Sequence, residues 1–312
     1  MKAIVCTKYG PPEVLQLQEV EKPAPRKNEV CIKIFATTVT ASDCITRGFN
    51  VPTRLKLPMG LVVGFTKPRQ PILGMVLAGE VESVGKNVKR FEKGNKVFGF
   101  TIKNAFQMRF GTYAEYMCLP ENWMVAFMPS DMTFEEAAAI PYGGLISMHF
   151  LKKAKIQTRR QVLIYGASGA NGTSAVQLAK YFGAEVTGIC STANLEMVKS
   201  LGADRVIDYT KEDVTSGGNF YDFIFDAVGK RKSSHVPFKK ILAPKGKFLS
   251  VDDGSPKPSI NDLHLLKKLS ETKQLKPVID RTYPMEQIVE AHRYVDQGHK
   301  KGNVVITVEH RS

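Results

Sequence analysis

Long apolar runs are missing from this chain: none approaches the ~18 residues that a helix needs to cross a bilayer. The N-terminus, Met1-Lys2-Ala3-Ile4-Val5-Cys6, meets the turn Lys8-Tyr9-Gly10-Pro11-Pro12 too soon for the apolar stretch of a signal peptide. Cysteine is sparse. Cys6, Cys31, Cys44, Cys118 and Cys190 are scattered, odd in number, and none forms a Cys-x-x-Cys pair. That pattern argues against a disulfide framework and for free thiols in a reducing compartment. Neither the cysteines nor the six histidines show a zinc-ligand spacing. His292 and His299 are seven residues apart, but two imidazoles do not make a metal site. Repeats and low-complexity tracts are absent too. The expectation is an intracellular, cytoplasmic protein without a resident metal.

What remains is ordinary for a globular enzyme. The chain has 312 residues, 43% of them hydrophobic, enough for two domains with full cores. The formal charge of +14 suits an anionic cofactor and would also suit weak nucleic-acid binding. The basic residues are dispersed, however, in short pairs such as Lys152-Lys153, Arg159-Arg160 and Lys239-Lys240. No basic helix is interleaved with stacking aromatics, so nucleic acid is not the expected partner.

One stretch carries chemistry. The apolar run Val162-Leu163-Ile164-Tyr165 leads into Gly166-Ala167-Ser168-Gly169-Ala170-Asn171-Gly172, followed by the helical pattern 173–182. Strand, glycine turn and helix in that order form the frame of a dinucleotide fingerprint. Glycine reaches the backbone conformations of such a turn without a Cβ penalty. The helix N-terminal amides and dipole then favour a pyrophosphate. Around this loop the pattern alternates: strands at 185–190, 205–208, 221–226 and 246–251, helices at 194–201 and near 235–242. Alternation of this kind predicts a parallel sheet with crossover helices. Residues 1 to about 120 instead read as antiparallel strands, with Val30 to Phe35 and Val76 to Val84 as β-favouring runs. Thr133 with Glu136 three positions on predicts a capped helix. A second helix is expected over 144–153, others at 261–272 and 285–297. The closing strand, 304–308, is expected to complete the first domain's sheet.

These motifs together resemble the medium-chain dehydrogenase/reductase superfamily, and within it the zinc-independent quinone oxidoreductase (zeta-crystallin-like) branch. The resemblance covers nearly the whole chain. It rests on Met1 to Ile4 with Gly10-Pro11-Pro12-Glu13-Val14-Leu15, on Asp43 to Gly48, and on Gly79-Glu80-Val81-Glu82-Ser83-Val84-Gly85. Further matches are Gly111-Thr112-Tyr113-Ala114-Glu115-Tyr116, Ala137 to Pro141, Gly143-Gly144-Leu145 and the glycine loop. It implies an α/β fold: a GroES-like β domain (1–122 and 276–312) and a doubly wound Rossmann domain (123–275), with the active site between them. Where zinc-dependent relatives carry a Cys and a Gly-His-Glu, this chain has Thr40 and Gly74-Met75-Val76. The structural zinc loop is missing as well. Without a Lewis acid, alcohol oxidation is less favoured, whereas an enone, enal or quinone can be reduced by hydride with hydrogen-bond donors alone.

The resemblance implies NADPH as cofactor, with NADH possible. The second Rossmann strand ends in Ser191-Thr192-Ala193-Asn194, with no carboxylate for a ribose 2′-hydroxyl. Ser191, Thr192 and Asn194 can donate hydrogen bonds, and Tyr209 matches a position that packs near a 2′-phosphate. Ser191-Thr192 also reads as a plain helix cap, and the two roles are compatible. Val228, beyond the fourth strand, and Ser250 and Val251, at the end of the fifth, are assigned to the cofactor. Ile146 replaces a Thr whose hydroxyl lies near the nicotinamide in relatives. Tyr142 is the candidate proton donor or substrate contact, with a packed core tyrosine as the competing reading. Thr40 is the second candidate, where relatives often carry Asn. Asp43 and Arg47 read as a structural ion pair rather than as catalytic groups. The substrate is expected to be a small hydrophobic quinone or enone, walled by 49–70 and 101–110. The stretch after Val251 is short and lacks a strand that pairs across the dimer in relatives, so monomer and homodimer both stand. A non-catalytic NADPH-binding or RNA-binding relative is the alternative, and a zinc-free alcohol dehydrogenase a third.

Overall fold

The computed structural model describes residues 1–312 except 52, 105, 106, 217, 219, 255, 311 and 312, and gives no side-chain environment for 54 and 55. The chain divides into two compact units: Met1–Pro141 with Ser259–His264 and Ile279–Ser312, and Tyr142–Pro258 with Leu265–Val278. Among the described residues no helix is long and apolar enough to cross a membrane.

The first unit is organised by the strand Glu29–Val39, an eleven-residue segment buried along most of its length. Its β-branched composition suits a pleated surface covered on both faces. It pairs antiparallel with Val76–Val84 on one edge. On the other it pairs with Tyr116–Pro120 along its first half and Asn303–Thr307 along its second. Lys96–Phe100 and Val125–Phe127 extend the sheet beyond Val76–Val84. The expected closing strand thus joins this sheet, where it also pairs in parallel with Ile279–Pro284. The fully buried Ile32, Ile34, Leu77, Leu119 and Ile306 form the centre of this core.

The first unit reaches Pro141 rather than ending at 122. Two interactions extend it. Val125–Phe127 is a hydrogen-bonded strand of its sheet, and the helix Phe134–Ala138 packs on Glu29–Val39 and Val76–Val84. That helix starts as expected, with the Thr133 hydroxyl accepting from Glu136 N and Glu136 Oε2 accepting from Thr133 N.

The second unit holds a parallel five-stranded sheet. Its order is Arg205–Asp208, Glu185–Cys190, Gln161–Tyr165, Tyr221–Asp226, Leu242–Ser250. In sequence terms this is 3-2-1-4-5, the Rossmann order without its sixth strand. From Ser250 the chain reaches the helix Ile260–Glu271 with no further strand among the described residues; Ser255, in this connection, lies outside them. The helix expected near 235–242 is not formed. Only the turn of helix Lys230–Ser233 and the 3-10 turn Phe238–Lys240 are found. Pro237 accounts for this, since it lacks an N–H and disfavours helical backbone at the residue before it.

Candidate functional site

In this sheet order the direction of winding reverses between Gln161–Tyr165 and Tyr221–Asp226. Ligands of open α/β sheets bind beyond the carboxyl ends at such a point. The glycine loop leaves the first of these strands there. Gly166 has φ +79°, a left-handed conformation open to glycine, and a Cβ on it would overlap the Val228 side chain. Gly166 N and Ala167 N donate to the Ile189 carbonyl at 3.1 and 2.9 Å, which ties the loop to the neighbouring strand. Ser168 and Gly169 are half-buried, and Gly169 caps the helix Ala170–Tyr181 with no side-chain hydrogen bond. The amides of Ala170, Asn171 and Gly172 sit in the first turn, where a helix offers no internal acceptor.

The three glycines differ in what surrounds them. A Cβ on Gly172 would lie 2.7 Å from both the Ala167 Cα and its carbonyl carbon and would overlap the Gly166 carbonyl oxygen. A Cβ on Gly169 would meet only that same oxygen, at 3.8 Å. Gly172 is therefore required by packing within the turn, whereas the space beside Gly169 is open. The Asn171 Oδ1 atom is buried and has no hydrogen-bond partner among the described residues.

The helix Pro141–Ala154 lies against the loop. A Cβ on Gly143 would overlap the Ala170 carbonyl oxygen, so this glycine lets the helix approach. Ser147 Oγ donates to the Asn171 carbonyl at 2.7 Å. Sequence reasoning dwelt on Ile146, which is buried, and missed Ser147, one residue on, whose hydroxyl fastens the loop. Tyr142, in the first turn of this helix, is 6% exposed.

At the end of the second strand, Asn194 Nδ2 donates to Ser191 Oγ at 3.1 Å, and Asn194 Oδ1 is buried without a partner among the described residues. Thr192 Oγ1 donates to Asp208 Oδ2 and lies 3.2 Å from Thr210 Oγ1. The sequence shows no acid in the loop after this strand. The structure brings one there from the third strand, because Cys190 pairs with Asp208 in the parallel register. Hydrogen bonds from Thr192 and then Thr210 hold the Asp208 carboxyl below the usual carboxylate range. Thr210 supplies both N and Oγ1 to Asp208 Oδ1, at 3.0 and 2.6 Å. Lys211 Nζ stands 3.9 Å from Oδ2. Tyr209, about half exposed, follows directly, its N donating to the Cys190 carbonyl.

A second carboxylate, at the end of the fourth strand, escaped sequence reasoning. Asp226 is fully buried. Its Oδ1 accepts from Val228 N and Gly229 N, both at 3.1 Å, and its Oδ2 from Ser233 Oγ and Ser250 Oγ, both at 2.8 Å. One side chain thus positions Val228 and Ser250, while Val251 N donates to the Asp226 carbonyl at 3.0 Å. The available signal was an acid closing a parallel strand just before a glycine turn.

Curated relatives share this plan along the whole chain. The 2-methylene-furan-3-one reductase of Solanum lycopersicum is 33% identical over 98% of this chain and 79% of its own length. The chain belongs to the medium-chain dehydrogenase/reductase family. Models of the family match here as "Alcohol dehydrogenase GroES-like domain" over residues 26–130 and "Zinc-binding dehydrogenase" over 171–273 and 255–306. The NADPH-dependent alkenal/one oxidoreductase of Arabidopsis thaliana is 29% identical over 98% of the chain and 79% of its own. The structure of the quinone oxidoreductase from Coxiella burnetii superposes with a TM-score of 0.85, at 28% identity and 99% coverage of both chains.

In the family's GroES-like unit, Thr40 is buried and caps the helix Ala41–Gly48. Its hydroxyl donates to Asp43 Oδ2 at 2.6 Å and accepts from Asp43 N at 3.2 Å. Burial pushes the Asp43 carboxyl up to about 6, against the pull of these Thr40 bonds. The expected Asp43–Arg47 pair is not formed. Arg47 instead meets Asp296 at 2.7 Å, the Gly10 carbonyl at 3.1 Å and His292 Nδ1 at 3.1 Å. Burial, followed by the Arg47 charge, pushes His292 down to about 3. His292 is fully buried and His299 exposed, so they do not share a face. Met75 is buried too. Among the described residues no three His, Cys, Asp or Glu side chains are gathered as a metal-ligand set.

The two variable stretches expected to wall the substrate do meet. Val62, Val63, Pro68 and Gln70 line one cavity of about 110 Å³ with Met108 and Phe110. Residues 105 and 106, part of the second stretch, lie outside the described residues.

Proposed function

We propose that this chain is an NADPH-dependent reductase of a quinone or a conjugated enone or enal, working without zinc. The observation that carries the proposal is the cradle at Gly166–Gly172: open space beside Gly169, the first-turn amides of a helix, and a buried Asn171 oxygen without a partner among the described residues. A pyrophosphate fits such a site, because amides and dipole both favour its charge. The names of the relatives support the same chemistry.

When bound, NADPH supplies a hydride. The chain's own residues hold and orient. The amides of Ala170 to Gly172 bind the pyrophosphate. Ser191, Thr192, Asn194 and Tyr209 bind the ribose end. Asp208 faces that end, but both of its oxygens are engaged by Thr192 and Thr210 and Lys211 stands beside it, which leaves the 2′-position tolerable for a phosphate. Asp226 keeps Val228 and Ser250 in place on the nicotinamide side. Tyr142 donates the proton that the reduced substrate needs. Thr40 acts as the cap of its helix and holds Asp43 in place; direct contact with substrate falls to other groups. A Cys and a His that would hold zinc are replaced by Thr40 and Met75, which favours conjugated C=C or quinone reduction over alcohol oxidation.

The test is loss of reduced-nicotinamide absorbance with NADPH or NADH across a panel of quinones, enals and enones, with and without chelator. Turnover with NADPH that survives chelation is expected. Loss of activity on chelation, restored by zinc, overturns the zinc-free mechanism. NADPH binding with no turnover on any substrate, together with salt-dependent nucleic-acid affinity, would establish the non-catalytic alternative instead.

A further inference from the structure

Cys31 and Cys118 face each other across the strands Glu29–Val39 and Tyr116–Pro120. Ile34 N donates to the Glu115 carbonyl at 2.9 Å, which makes Ile34 and Glu115 a hydrogen-bonded pair of this ladder. Pairs alternate along an antiparallel ladder, so Cys31 and Cys118, three steps on, form a non-hydrogen-bonded pair. In such pairs the Cα atoms lie about 4.5 Å apart, within the range of roughly 4.4–6.8 Å that a disulfide requires. The side chains point to one face. Both thiols donate to the same Pro23 carbonyl oxygen, each at 3.7 Å, which places the two sulfurs side by side.

The rest of the site favours oxidation. Cys31 is buried, whereas Cys118 is only partly so and lines a cavity of about 670 Å³ together with Arg26, Arg69 and Arg109. Its neighbour Cys118 and then the Lys22 ammonium hold the Cys31 thiol below its ordinary range, whereas Cys31 and burial push the Cys118 thiol up. The three other cysteines are buried, and burial pushes each of their thiols up. Access from the cavity and a second sulfur within reach therefore coincide at one pair.

We propose that Cys31 and Cys118 form a reversible cross-strand disulfide when the protein meets a hydroperoxide. Cys118, the sulfur open to the cavity, gives its proton to solvent and attacks a peroxide oxygen as the thiolate. The O–O bond breaks, the leaving oxygen takes up a proton from solvent and departs as water or alcohol, and Cys118 becomes a sulfenic acid. The Cys31 sulfur then attacks the Cys118 sulfur. The S–S bond forms, the S–O bond breaks, and the sulfenic oxygen leaves as water with the Cys31 proton. The two thiols give up two electrons and the peroxide takes them.

The inference is independent of the reductase reading, because its test needs no turnover. The full-length protein is treated with hydrogen peroxide, and its thiols are counted after denaturation. A fall from five thiols to three is expected, recovered by dithiothreitol, with one linked peptide joining Cys31 and Cys118 in a non-reducing digest. In Cys31→Ser the Cys118 sulfenic acid should persist long enough to be trapped by dimedone. Retention of all five thiols, or a linkage through Cys6, Cys44 or Cys190, overturns the proposal. The peptide map of the unmodified protein decides the matter even if a variant fails to fold.

Discussion

Gly169 and Gly172 separate what the glycine loop owes to the cofactor from what it owes to its own packing. Replacing Gly172 by Ala puts a methyl 2.7 Å from two backbone atoms of Ala167 and into the Gly166 carbonyl oxygen. Backbone cannot swing aside as a flexible side chain does, so the turn or the helix Ala170–Tyr181 must move. Overpacking of this kind costs about 1–3 kcal/mol. A loss of about 2 kcal/mol lowers the midpoint of thermal unfolding by roughly 4–8 °C in a domain of ordinary size. Gly169→Ala places its methyl 3.8 Å from the nearest protein atom, an ordinary van der Waals distance, at a position with φ −81°. The apo variant should melt within about 2 °C of the parent, since substitutions away from strain and packing stay near ±0.5 kcal/mol. Its affinity for NADPH should nonetheless fall about tenfold or more, or about 1.4 kcal/mol, because the methyl occupies the space through which the backbone meets a pyrophosphate. Thermal unfolding of the apo variants and titration of NADPH fluorescence measure the two effects. Unchanged NADPH affinity in Gly169→Ala would refute the cradle, and an unchanged midpoint in Gly172→Ala would refute the packing argument.

Asp226→Asn should cost about 2–4 kcal/mol in urea unfolding, since four hydrogen bonds to a buried carboxylate are weakened or reversed at once. It should also weaken NADPH binding by displacing Val228 and Ser250. Tyr142→Phe should lower kcat roughly 10²-fold while leaving NADPH affinity unchanged if Tyr142 donates the proton; an altered melting point with normal kcat would mark it as a packing residue. His292 makes stability depend on pH. The unfolded chain takes up a proton near pH 6.5, the folded chain only near pH 3, so stability is lost as pH falls through that window, by up to about 1.4 kcal/mol per unit. Asp43 acts in the opposite sense. Its folded carboxyl stays protonated up to about pH 6 against an ordinary 3.8, so its contribution is present at low pH and lost as pH rises through that range. The two slopes oppose each other between about pH 4 and 6. Relative to the parent, His292→Gln should therefore gain stability on acidification from pH 7 to 4.5, as read from urea midpoints. A constant difference between the two proteins across that range would rule this out.

Local pattern carried much of this protein. Periodicity, glycine spacing and the Thr133 cap are properties of neighbouring residues, and they placed the strands at 185–190, 205–208 and 221–226, the glycine loop and the capped helix close to where they lie. The motifs in order identified the family. What the sequence left open depended on residues far apart in the chain. Val125–Phe127 belongs with the first unit because of its ladder to Lys96–Phe100, a pairing that no local signal reports. Asp208 reaches Thr192 through the parallel register of two strands, and Asp226 joins Ser233, on the helix that follows it, to Ser250, at the end of the neighbouring strand. Arg47 pairs with Asp296, 249 positions away, rather than with Asp43, four positions before it. Cys31 and Cys118, 87 positions apart, look like two isolated thiols until the sheet sets them opposite each other. The composition of each segment decided which elements form, since propensity and period act over a few residues. Which charges, hydroxyls and thiols meet was decided only by sheet register and packing, which join segments that the chain itself keeps apart.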